Sequence, residues 1–68
     1  MTRPYEDQLP EGATVVAWNE DVVVWKPLRP TWDGFPFVVH PVKNGRVAGS
    51  GTYDRSASEV TTITGIPL

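Results

Sequence analysis

Residues 14–26, TVVAWNEDVVVWK, decide how this chain folds. Two runs dense in valine and tryptophan flank Asn19, Glu20 and Asp21, the pattern of a β-hairpin. The β-branched run Val22, Val23, Val24 opposes a helix at this point. A two-residue loop at Glu20-Asp21 sets Trp18 opposite Val23 and Val16 opposite Trp25, and a four-residue loop keeps the same side-chain sets together. A three-residue loop would separate the two tryptophans, and the even loops are preferred. Side chains alternate along a strand, so Val16, Trp18, Val23 and Trp25 share one face while Val15, Ala17, Val22 and Val24 share the other. Both faces are therefore apolar. A sheet with one wetted face alternates polar and apolar residues, so something must close over the second side, either this chain or another.

The length sharpens that requirement. At 68 residues the chain is one domain. Such a domain buries about 60% of the surface its unfolded form exposes, and its core supplies roughly 3–5 kcal/mol. With no cysteine there is neither a disulfide nor a thiolate metal site, and the single histidine has no evident set of carboxylates converging on it. No metal and no cofactor is expected. Good packing or association must supply the rest, which raises the weight of an association role.

Outside the first hairpin the pattern stays β-rich. Residues 1–13 are polar and carry Pro4, Pro10 and Gly12, predicting an extended N-terminal arm that Tyr5 and Leu9 tie to a single β domain at 14–68. Strands are predicted at 14–18, 22–26, 37–42, 46–53 and 60–64. Between the second and third lies PLRPTWDGFP (27–36), too rich in proline for a sheet interior. In HPVKNGRVAG (40–49), Asn-Gly is a strong hairpin signal. A two-residue turn there would pair Lys43 with Arg46 and put Pro41 where the partner strand needs its missing N–H. A three-residue loop of Lys43, Asn44 and Gly45 is therefore preferred, gathering Phe37, Val39, Pro41, Val47 and Tyr53 on one face. Gly49 and Gly51 permit a sharp bend. Ser56 and Glu59 have capping-box spacing, but the VTTIT that follows suits a strand, so at most one helical turn is expected near residues 54–58.

These elements predict an all-β fold: a small, five-stranded, strongly bent sheet or a barrel that resembles the Src-homology-3 barrel in outline. None of that family's peptide-binding signature is present. An OB-type barrel is the next alternative, against which the missing inter-strand helix counts.

Charge and motifs exclude more than they assign. The net charge is −2, with residues 1–25 at −4 and residues 26–68 at +2. Nucleic-acid binding is disfavoured by that acidity, though Lys26, Arg29, Lys43, Arg46 and Arg55 beside aromatics leave a single-strand-binding barrel as the alternative function. No apolar run reaches the length of a membrane span, no secretion signal opens the chain, and a cytoplasmic location is expected. Ser50 or Ser56, His40 and Asp54 can be written as a triad, but no nucleophile context surrounds either serine, and GSG precedes no helix and so is no phosphate loop. No enzymatic activity and no catalytic residue is expected. The favoured function is a protein-binding or assembly module, its partner another protein or a second copy. Trp18, Trp25, Arg29, Trp32, Phe35 and Tyr53 are the candidate contacts, because large rigid aromatics and arginine dominate protein interfaces.

Overall fold

The computed structural model describes residues 5–29 and 34–68. Five antiparallel strands form one curled half-barrel: β1 (Thr14–Trp18), β2 (Val22–Lys26), β3 (Phe37–Lys43), β4 (Arg46–Val47) and β5 (Thr52–Arg55). β1, β2 and β3 lie side by side in chain order, and both β4 and β5 pair with the far edge of β3. A helix, α1 (Ala57–Thr64), follows.

The first hairpin turns as its sequence predicts, and then departs. Trp18 pairs with Val23, and the Asn19 side chain accepts from the N–H groups of Asp21 and Val22 at 2.7 and 2.9 Å, holding the loop closed. Further along β1 a bulge shifts the register, so that Ala17 faces Val24 while Val15 faces Trp25. One extra residue, Val16, is left over. Because side chains alternate, the extra residue moves Val15 to the face of Val23 and Trp25, while Ala17 stays with Val22 and Val24. The expected placement of Val16 on the tryptophan face and Val15 on the other is corrected by this bulge.

Both faces of the sheet carry a core. On the front, Val15, Val23, Trp25, Val38 and Val42 are buried together; on the back, Val24 and Val39 pack with Val60. The buried set among the described residues is seven valines and Trp25, so one indole supplies a large share of the interior volume. The chain itself closes both sides. Tyr5, Leu9 and Ala13 lie against the front core, and Val60 of α1, with Ile66, lies on the back.

The second hairpin corrects the preferred loop. Val42 pairs with Val47 and Lys43 with Arg46, leaving Asn44-Gly45 as a two-residue turn. Both turn residues have positive φ, 54° and 76°, as a type I′ turn requires. The difficulty at Pro41 is met by ending the ladder: β4 stops at Val47, and Ala48 N–H donates to the Pro41 carbonyl at 2.9 Å without a bond in return. The one-residue difference in loop length puts Val47 on the front with Val42, not on the side of Phe37 and Val39. The predicted strand at 46–53 is likewise two strands, split at Ala48–Gly51 and resumed at Thr52, where the chain bends back onto β3.

The predicted strand at 60–64 is helical. Ser56 caps α1 as a full capping box: its hydroxyl accepts from Glu59 N–H at 3.3 Å, and Glu59 accepts from Ser56 N–H at 3.2 Å. Thr62 and Thr64 satisfy their hydroxyls on the carbonyls of Ser58 and Val60, at 2.9 and 2.7 Å. Gly65, at φ 77°, ends the helix.

Candidate functional site

The strand order leaves the outer edge of β1 unpaired by any described strand. Asn19 N–H donates to Val22 C=O at 2.9 Å, so by the alternation of an antiparallel ladder the backbone N–H and C=O of Trp18 point away from β2, toward that open edge. The Trp18 side chain is 47% exposed and Val16, displaced by the bulge, 36% exposed. Two exposed apolar residues thus stand on the edge of the sheet that no described strand covers.

Trp25 behaves differently. It is 1% exposed, and its ring sits in a cage of aromatic contacts. Tyr53 meets it edge-on with centroids 6.0 Å apart. His40 stacks at 6.3 Å, and Trp25 Nε1–H donates to His40 Nδ1 at 3.4 Å. His40 in turn lies over Gly51, where a Cβ would come within 2.7 Å of the imidazole. Trp25 is therefore corrected from a partner contact to a core residue: its indole N–H and both rims are already used inside the molecule.

The five described candidates do not converge on one patch. Trp18 stands at the tip of the first hairpin, whereas Arg29 follows the opposite end of β2. From Val23, the partner of Trp18, to Arg29 is six residues, roughly 20 Å if extended. Phe35 is exposed just before β3, at the same end as Arg29. Tyr53 lies on β5, three strand spacings from β1, or about 14 Å across the sheet. Trp32 falls outside the described residues.

Sequence reasoning missed the exposed Leu28, Ile63 and Leu68, and it missed Val16. Its alternation with Trp18 suggested shared burial, and the bulge that exposes it leaves no signature of glycine or proline. On α1, Ser58, Glu59, Thr62 and Ile63 line a shallow open depression of about 260 Å³, formed by side chains of a single helix and remote in sequence from the aromatic candidates. Among the described residues, no cluster of three or more His, Asp or Glu side chains could hold a metal ion, and no helix is long and apolar enough to cross a membrane. No protein-family model, curated protein or solved structure matches the chain.

Proposed function

We propose that this protein is a protein-binding or assembly module that docks through the exposed Trp18 at the hairpin end of β1, with Val16 beside it. One observation supports this reading above the others: a tryptophan 47% exposed on the outermost described strand, in a chain that spends its other described tryptophan wholly on the core. Tryptophan is enriched at interface hot spots, and an exposed strand edge offers main-chain groups to a second chain. Apolar surface on both sheet faces no longer argues for a partner, because the N-terminal segment and α1 close those faces.

The test is size exclusion with light scattering across a wide concentration range, together with affinity capture, for the intact chain and for Trp18→Ala. The intact chain is expected to self-associate or retain a partner, and Trp18→Ala to lose that association while its stability changes by less than about 1 kcal/mol. A strict monomer that captures nothing, with Trp18 fully accessible to a quencher, overturns the reading.

A further inference from the structure

Residues 5–13 form a strap. It leaves the start of β1 at one edge of the half-barrel, crosses the front core with Leu9 and Tyr5, and reaches β4 at the opposite edge. There the Gln8 side chain accepts from Val47 N–H at 2.8 Å. Val47 is the partner of Val42 in the pair next to the turn-closing Lys43–Arg46 pair, so its N–H points outward from the sheet. Gln8 thus caps a backbone group on the far rim. A 3₁₀ turn at Glu6–Gln8 is the strap's own regular structure, and among the described residues it makes no ladder bond and no ion pair with the sheet.

What makes the strap lie on its own front face is one turn. Ala13 N–H donates to Pro10 C=O at 3.1 Å, and Gly12 takes φ 86° with Leu28 Cβ only 2.7 Å from where a Cβ would stand. Both the backbone angle and the space are open to glycine alone. The contacts that hold the strap are made by Tyr5, Gln8 and Leu9, all on the far side of this turn. Nothing in them depends on the strap belonging to the same chain.

We infer that the front trough also accepts residues 5–9 of a second copy, giving a dimer in which the two straps are exchanged. Exchange reproduces the strap contacts in full, so only the turn and the chain-entropy difference separate the two forms. A short connection holds the strap at an effective concentration in the millimolar range, and the closed monomer therefore dominates in dilute solution. Opening the turn lifts the two constraints that confine position 12 to glycine in the closed form. This surface is separate from the β1 edge, and either can fail alone.

The experiment refolds full-length chains from denaturant at low concentration and at about 1 mM, then measures mass by light scattering after dilution. Gly12→Ala disfavours the closed turn and tolerates the open one, so its dimer should be at least about tenfold tighter than that of the intact chain. Deletion of Glu11, which shortens the turn, should act in the same direction. In the Gly12→Ala background, adding Trp18→Ala should leave the dimer intact, whereas adding Leu9→Ala should abolish it. The inference is overturned if the Gly12→Ala and Glu11-deleted chains both stay monomeric, or both fail to fold, at the higher concentration. It is equally overturned if their dimer survives Leu9→Ala or disappears with Trp18→Ala.

Discussion

The two covers of this sheet are built by opposite means. On the back, α1 satisfies its own ends: Ser56 and Glu59 cap it reciprocally, Thr62 and Thr64 bond to its own carbonyls, and Gly65 closes it. It needs only Val60, with Ile66 beyond its end, to attach it to Val24 and Val39. On the front, the strap has little local order, and its place is set by what it touches: Trp25 and the valines around it, and the Val47 N–H. Local hydrogen bonds define one cover and tertiary contacts the other. Both covers depend on the sheet, since an eight-residue helix is marginal alone; what differs is that α1 satisfies its own ends while the strap is ordered by its floor.

That contrast is open to direct attack. The largest effect is expected for Trp25→Ala, which empties the front core and removes the strap's support. About 3–5 kcal/mol should be lost, comparable to what a core of this size supplies, so urea denaturation should find the variant largely unfolded. Next comes Gly51→Ala. The new methyl would meet the His40 ring at 2.7 Å and Val38 Cγ1 at 3.2 Å, and because His40 is backed by Trp25 the crowding should cost about 1–3 kcal/mol with a change in tryptophan emission.

Ser56→Ala tests the back cover. Loss of the cap should cost about 1 kcal/mol and speed amide exchange at residues 57–60 while leaving strap residues protected as before. Gln8→Ala is the matching test on the front: removing the acceptor for Val47 N–H should cost about 0.5–1 kcal/mol and speed exchange at Val47 and in the strap, with α1 untouched. The smallest effect is on pH. The Ser56 backbone N–H, reinforced by Arg55, holds the Glu59 carboxyl below its ordinary value of 4.5. A lowered folded value means this stabilisation is complete above pH 4.5 and is lost as acid protonates the folded carboxyl. Helical circular dichroism should therefore decline below that point, and Glu59→Gln should flatten the decline.

The same contrast governs how much was legible in the sequence. The strands at 14–18 and 22–26 are where valine alternation and the Asn19 turn put them, and β3 runs one residue past the expected end. The capping-box spacing of Ser56 and Glu59 marks the start of α1, but only a single turn is expected from it. The β-branched run that follows favours a strand, and it was overridden because Val60 gains burial on the back face and the threonine hydroxyls find i−4 carbonyls. The Asn-Gly turn outweighed the conflict at Pro41 for a similar local reason, since the edge strand could end there at little cost. The bulge at Val16 had no such marker. It arises from which valine the front core accepts, a fact of packing and not of composition. Of the candidate contacts, Trp18 is exposed and Trp25 buried although their neighbours in sequence are nearly alike; strand position within the sheet separates them, and one chain read in isolation does not carry it.

The bulge has one more consequence. A flat, regular edge strand invites copy after copy to stack upon it, and fibrils grow that way. β1 breaks its own pleat at Val16, and the interrupted register denies this rim the flat, repeating ladder that such stacking needs.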